Sequence, residues 1–487
     1  MLRPRSLLAV ASLLLSATHI GHDQTSPVSE DRALQLSIQR ARALLAQHME
    51  TLEVPGVQVA VWKDDEMVWS EGLGWADAEN RAPVTPLTRF PIGSVSKALT
   101  AVVAARLADR GLVQVDAPIR RYVPRLPVGH GQISVRMLGQ HLSGIRHYRR
   151  DERPGDGRHY DTVNDALGLF LDDPLIFEPG TRYGYSSFGF TLLSAALENA
   201  TNRTFLTLLE EEVVRPLGLS GTMANAVDGL IPFRTQGYTF SDARRRRARL
   251  EDPSYMWAAG GLLSTAEDLV RVGAALLKPG YLSEAGRALL FTEGRTRAGE
   301  RTHYGFGWDV YTTREGRIVY SHSGQLDYAR AHLVILPQDR IVVTMLANTG
   351  TNIGFNHGEA VWLSELFTTP RKGAGRQWSG AYSFRSVEEQ GTLPGHLTLY
   401  EKGGLLRGSI TIGARTAPVP AAVEVDGTLE LFAVPGSWRK LWLTANGDSY
   451  MGRWEIAGLP SGRLWLDGEL LNIRRVGTVG SAGTPAR

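Results

Sequence analysis

The chain has 487 residues, 43% of them hydrophobic and 21% charged, with a net charge of +3. That is enough chain for two domains or more, and so small a charge excess gives no ground for a nucleic-acid partner. The lack of cysteine excludes thiol nucleophiles, disulfides and thiolate metal sites.

Arg3 and Arg5 precede an apolar run from Leu7 to Ala17, and a polar stretch follows at His19–Ser29. These are the charged and apolar regions of a signal peptide, assigned to residues 1–24. The run is short for a membrane span. A periplasmic or secreted protein is expected, and an uncleaved N-terminus would give transient membrane association instead. A helical stripe follows, carried by Leu34, Ile38, Ala41, Leu44 and Leu45. Two strands are expected at Val57–Trp62 and Met67–Trp69, with a turn between them. Gly93 and Ser94 open a helix with apolar positions at Val95, Leu99, Val102, Val103 and Leu107, ending near Gly111. Helical patterns recur at Val163–Leu171, Phe188–Leu197, Phe205–Val214 and Ala266–Leu277. Ser264 and Glu267 stand at capping-box spacing before the last of these. Strand-like runs then appear at Gly307–Tyr311, Ile318–Tyr320, His332–Leu336 and Ile341–Leu346, before a final helix at His357–Phe367.

Strands at both ends flanking a mostly helical middle predict an α+β domain over residues 30–369: an antiparallel sheet flanked by helices, with a helical subdomain. Residues 370–377 read as a Gly/Lys/Arg linker. From 378 to 476, short alternating runs between glycines predict a small β-barrel or sandwich, and residues 477–487 a disordered tail. The run Arg244–Arg247 reads as a solvated hairpin or loop, with binding to an anionic surface as the sharper alternative.

A serine is a poor nucleophile until a neighbour takes its proton. A lysine at i+3 on a helix shares its face, and Ser94-Val95-Ser96-Lys97 supplies one at a helix start. Unpaired backbone N–H groups there can also stabilise an oxyanion. With 30 serines but only 6 lysines against 47 arginines, chance predicts fewer than one such pair. Two occur, and the second, Ser437 to Lys440, lies in the β-rich tail, where strand alternation turns the two side chains apart. Arginine cannot give up its proton at working pH, whereas a desolvated lysine can. Lys97 therefore reads as a base, beside the local alternative of a helix-start serine with an incidental lysine.

Tyr185-Ser186-Ser187 follows a Pro179-Gly180 turn, and its phenol can carry a proton to a leaving group. His322-Ser323-Gly324 ends a strand-like run; the glycine lets a substrate backbone approach and the histidine can contact a carboxylate. No G-x-S-x-G elbow, H-E-x-x-H helix or P-loop is present. His141, His147, His159 and His357 lack metal-ligand spacing and read as core or surface residues, so no metal or cofactor is expected.

In this order the three motifs resemble those of the serine β-lactamase and penicillin-binding-protein family, class C type, with its D-aminopeptidases, DD-peptidases and esterases. The resemblance runs from about Leu44 to Phe367 and includes His141-Leu142-Ser143-Gly144-Ile145 and Gly260-Gly261-Leu262-Leu263-Ser264-Thr265. The stretch around His159 to Pro174, and Tyr185 to Phe190, is similar to the mitochondrial branch of that family and its bacterial relatives. The tail resembles a lipocalin-like barrel. The resemblance implies an acyl-enzyme on Ser94, with Lys97 as base and Tyr185 as its partner. It implies an oxyanion hole from the backbone N–H groups of Ser94 and Gln325, and substrate contacts from Ser187, His322, Ser323 and Gly324. The substrate would be a small molecule or peptide: an amide, a peptide or an ester; the alternatives are a catalytically weak scaffold or binding protein on the same fold and a true β-lactamase. Ser187 stands where β-lactamases carry asparagine, and His322 where lysine is usual; both departures argue against efficient β-lactam hydrolysis.

Overall fold

The computed structural model describes residues 27–149, 157–241, 244–313, 316–350, 357–368, 378–388, 391–402, 405–425, 428–433, 439–446, 449–456 and 466–477. The expected leader, the linker, Ser437 and all of the tail after Gly477 lie outside these residues.

The sheet joins the two ends of the first domain. Strands β1 (Gly56–Lys63), β2 (Glu66–Asp77) and the short β3 (Ala82–Pro83) come from the N-terminal end. Strands β4 (Asp309–Thr312), β5 (Ile318–Leu326), β6 (Ala329–Leu336) and β7 (Ile341–Ala347) come from the other. The order is β3-β2-β1-β7-β6-β5-β4, and β1 meets β7 antiparallel from Val57↔Ala347 to Lys63↔Ile341.

Helices cover both faces, so the inner strands are apolar on both sides. That is why β6 and β7 are buried from end to end although antiparallel sheets often alternate. Val57, Val59 and Val61 of β1, with Val343 and Met345 of β7, pack against α1 (Pro27–Thr51) and the C-terminal α5 (His357–Glu365). The α1 stripe falls on this face, with Ile38, Ala41, Leu44 and Leu45 buried. The opposite face packs Leu333, Ile335, Val342 and Leu346 against α2 (Val95–Asp109), α3 (Ser187–Thr201) and α4 (Ala266–Leu277). Helix α2 is buried nearly all round, which makes it a core helix rather than an amphipathic surface one.

Three local readings change. The strand through Ile318 continues past Tyr320 to Leu326, so His322-Ser323-Gly324 lies within β5. Helix α4 is capped by Thr265, whose side chain accepts from the Asp268 N–H at 3.2 Å, because Ser264 belongs to the short strand Leu262–Ser264. The Phe205–Val214 helix changes to π-helical geometry at Glu210–Val214.

The C-terminal strands are β8 (Gly380–Glu388), β9 (Gly391–Lys402), β10 (Leu405–Ile412), β11 (Arg415–Val425), β12 (Thr428–Ala433), β13 (Arg439–Asn446), β14 (Ser449–Ile456) and β15 (Leu466–Gly477). Each pairs with the next, and β15 returns to pair with β8, closing the sheet. Alternate residues such as Leu397 and Leu399, Leu429 and Leu431, and Leu441 and Leu443 fill its interior. Among the described residues no helix is long and apolar enough to cross a membrane.

Candidate active site

Ser94 is the N-cap of α2, preceded by Gly93 at φ +48. A left-handed backbone there favours glycine and turns the chain from Ile92 sharply into the helix. Lys97, one turn along, is fully buried. Its Nζ lies 3.0 Å from Ser94 Oγ, 3.0 Å from Ser187 Oγ and 2.6 Å from the Ala259 carbonyl. Burial pushes the Lys97 ammonium well below its usual range.

The three neighbours fit a neutral amine, which has two N–H donors and one lone pair. The carbonyl of Ala259 can only accept. If Ser187 Oγ accepts the second proton, the lone pair faces the Ser94 hydroxyl. The short helix Trp257–Gly260 is held in place by the Thr100 hydroxyl, which donates to the Ala258 carbonyl at 2.7 Å.

Tyr185 reaches the same point from the start of α3. Burial raises its phenol well above the ordinary range, while a hydrogen bond with Ser94 pulls the other way. Lys97 Nζ stands 4.9 Å from its ring centroid. Serine 186 caps α3, its hydroxyl accepting from the Gly189 N–H at 2.9 Å.

Strand β5 closes against α2 at one glycine. A Cβ on Gly324 would sit 2.0 Å from the Ile92 carbonyl oxygen and 3.2 Å from the Ser94 nitrogen. A Cβ on Gly93 would meet the Gln325 nitrogen at 3.1 Å. The backbone nitrogens of Ser94 and Gln325 are thus brought to one place, next to the Ser94 hydroxyl.

One predicted substrate contact, His322, differs from expectation. His322 is 3% exposed. Its Nδ1 donates to the Ser323 carbonyl at 2.7 Å, which leaves Nε2 to accept from the Tyr304 hydroxyl at 2.9 Å. Burial, with Lys97 nearby, pushes its pKa down to about 3. His322 is therefore a neutral, internally bonded residue and not a cation facing substrate. Ser187 borders the cleft, but its hydroxyl is engaged by Lys97. Ser323 is partly buried and Gln325 exposed.

The sequence reading missed two histidines. His141 Nδ1 accepts the Ser186 N–H at 3.1 Å, and its ring lies 4.3 Å from that of Tyr185. His147 Nδ1 accepts the Ser187 N–H at 3.2 Å, and its ring meets Tyr185 edge-on at 5.5 Å. Both hold the loop that presents the tyrosine. Among the described residues no cluster of side chains could hold a metal ion.

A cleft of about 480 Å³ opens beside Ser94. Its lining includes Gly93, Ser94, Ser187, Ala259, Tyr148 and Gln325.

A cleft-facing serine paired with a buried lysine on a central helix, flanked by a tyrosine loop and the edge of an antiparallel sheet, defines a serine hydrolase fold of the β-lactamase and penicillin-binding-protein type. The family described as Beta-lactamase matches residues 41–364, and the chain belongs to it. It is 28% identical over 410 residues to the human serine beta-lactamase-like protein LACTB, mitochondrial, across 65% of this chain and 75% of that protein. Among solved structures it resembles EstCE1, a hydrolase with promiscuous acyltransferase activity, with TM-score 0.60 and 22% identity over 69% of this chain and 99% of that one. The octameric penicillin-binding protein homologue from Pyrococcus abyssi matches with TM-score 0.58 and 19% identity, over 89% of this chain and 99% of that one. At such identity these structures establish the fold alone.

Proposed function

We propose that the protein hydrolyses an ester, amide or peptide through an acyl-enzyme on Ser94. The observation that carries this is the fully buried Lys97, with Nζ 3.0 Å from Ser94 Oγ. Neutral Lys97 takes the serine proton as Oγ attacks the substrate carbonyl, and the carbonyl oxygen becomes an oxyanion facing the N–H groups of Ser94 and Gln325. Tyr185, bonded to Ser94 and close to Lys97, passes the proton to the leaving group. Water then attacks the acyl-enzyme by the reverse route, restoring Ser94 and neutral Lys97. The leader-like N-terminus supports action in the periplasm or outside the cell.

A fluorophosphonate tests the assignment. Peptide mass mapping is expected to place one phosphonyl adduct per chain on Ser94, and Ser94→Ala to lose both adduct and ester turnover while remaining folded. An adduct elsewhere, or turnover in Ser94→Ala, overturns it.

A further inference from the structure

The arginine run forms one strand of a hairpin, Tyr238–Ser241 paired with Arg244–Arg247. Neighbouring side chains on a strand alternate faces, so Arg245 and Arg247 share one face and Arg244 and Arg246 the other. The first face fastens the hairpin to the domain. Arg245 donates to the Glu53 carbonyl at 2.6 Å, and Arg247 Nε to Gln236 Oε1 at 2.6 Å, with its guanidinium 3.7 Å from Glu79. The backbone is fixed too, Tyr238 N–H donating to the Asn348 carbonyl at 2.9 Å. Arg246 and its cross-strand partner Thr239 border the cleft that contains Ser94, as does Arg247, which is held by Gln236 and Glu79. Arg249 borders the same cleft just beyond the hairpin.

Three carboxylates also border it: Glu251, Asp252 and Asp327. Asp252 is engaged by His159, whose Nδ1 lies 2.7 Å away. Burial pushes the Arg330 guanidinium down to about 10, and Asp327 lies close enough to oppose that shift. Glu251 is the remaining acid beside the arginines. The cleft is thus polarised, with arginine concentrated at the hairpin. Guanidinium groups bind carboxylate and phosphate oxygens in paired geometry, which ammonium groups do not.

We propose that Arg246 and Arg249 form a subsite for an anionic oxyacid group, carboxylate or phosphate, carried by the substrate acylated on Ser94. This rests on the reading of Ser94 as the acylated residue. Such a subsite selects substrates by charge and raises their capture rate at low salt.

Matched esters test it. One pair carries the charge on the leaving group, 4-acetoxybenzoate against its methyl ester, with 4-acetoxyphenyl phosphate as the phosphate arm. The other carries it on the acyl group, p-nitrophenyl adipate against p-nitrophenyl hexanoate. In at least one pair the anionic member is expected to exceed its neutral partner by about tenfold in kcat/KM, mainly through KM, as one charge-assisted contact allows. The advantage should shrink in high salt. Arg246→Ala and Arg249→Ala should erase it while leaving the neutral ester within about twofold, and Arg246→Lys should restore part of it. The phosphate arm shows which oxyacid is preferred. Equal rates across both pairs, or arginine variants that slow charged and neutral esters alike, overturn the subsite. If that occurs while the fluorophosphonate still labels Ser94, the subsite alone fails; if Ser94→Ala turns over every ester unchanged, the reading of Ser94 fails first.

Discussion

The local chemistry of Lys97 depends on its being dry. Its amine touches two hydroxyls and a carbonyl and no carboxylate is among its hydrogen-bond partners, so no opposite charge offsets the cost of burying an ammonium there, and the Tyr185 ring 4.9 Å away opposes that cost only in part. His322 follows the same rule: in a buried ring with Nδ1 donating to a carbonyl and Nε2 accepting from Tyr304, a second proton would have to reverse the Tyr304 bond and place a charge out of water. Its folded pKa of about 3 lies below the ordinary 6.5. Between those values the unfolded chain binds a proton that the folded chain does not, so this term is fully stabilising above about pH 6.5 and is lost as pH falls toward 3. Asp309 has the opposite sign, since burial raises its carboxyl to about 8 and its contribution fades as pH rises toward that value. The comparison is therefore made against His322→Asn. Between pH 7 and pH 4.5 the wild type is expected to lose several degrees more Tm than the variant; equal losses would show that His322 is protonated in the fold. Ser94, Lys97 and Tyr185 are legible in sequence because the chemistry restricts residue type and the helix restricts spacing. His141 and His147 are not, because each acts by accepting a backbone N–H from a residue 40 or more positions away, and such a role leaves no spacing to read.

At the scale of elements, the site is the seam between α2 and β5. Gly324 allows that seam, since any Cβ would collide with the Ile92 carbonyl at 2.0 Å and crowd the Ser94 nitrogen at 3.2 Å. Backbone atoms cannot swing aside as a side chain can. Gly324→Ala should therefore cost about 1–3 kcal/mol of stability, and the displaced N–H groups should lower acylation by roughly 10²-fold or more. A denaturant midpoint and an acylation rate on the same preparation check this; a variant with normal acylation would show that the two N–H groups need no such approach. Element types over the first domain were mostly legible, because α1, β1 and α4 carry clear periodicity. The ends were harder. His322 was read beyond the strand because a histidine, serine and glycine lack β-propensity, whereas the pairing of β5 with β6 through Leu326↔Ala329 carries the strand onward. Strand β11 carries Pro418 and Pro420, residues that weaken a strand pattern; the ladder accommodates them beside a register shift between Leu406 and Gly408.

The whole molecule has separate cores. The two that build the sheet and its helices involve residues from Ile38 to Phe367, and the barrel's runs from Trp378 to Ile473. The barrel touches the first domain through β11 and α1, leaving a groove bordered by Arg42, Gln47, Tyr400 and Arg407. Because Ser94 and its neighbours draw only on the first core, a chain ending at Thr368 is expected to fold and to be labelled at Ser94, with a Tm within a few degrees of the full chain's first transition. An insoluble or unlabelled product would show that the barrel completes the core. The separation was visible in sequence as a change of texture after Thr368, but the contact with α1 was not, since it depends on the tertiary fold.

The proposed chemistry requires Lys97 to be neutral at working pH and to act as the base for Ser94. The pH dependence of the pre-steady-state burst with p-nitrophenyl acetate tests it most directly. A lysine held well below its usual range predicts one acetyl group per chain, mapped to Ser94, forming at a rate that is level from pH 7 to 9. Lys97→Arg should be slowed about as much as Lys97→Ala, on the order of 10²–10⁴-fold, because arginine keeps the charge and cannot accept the proton. A burst rate that climbs tenfold per pH unit through pH 9, as an ordinary lysine near 10.4 requires, or an arginine variant that keeps most of its rate, would contradict the account.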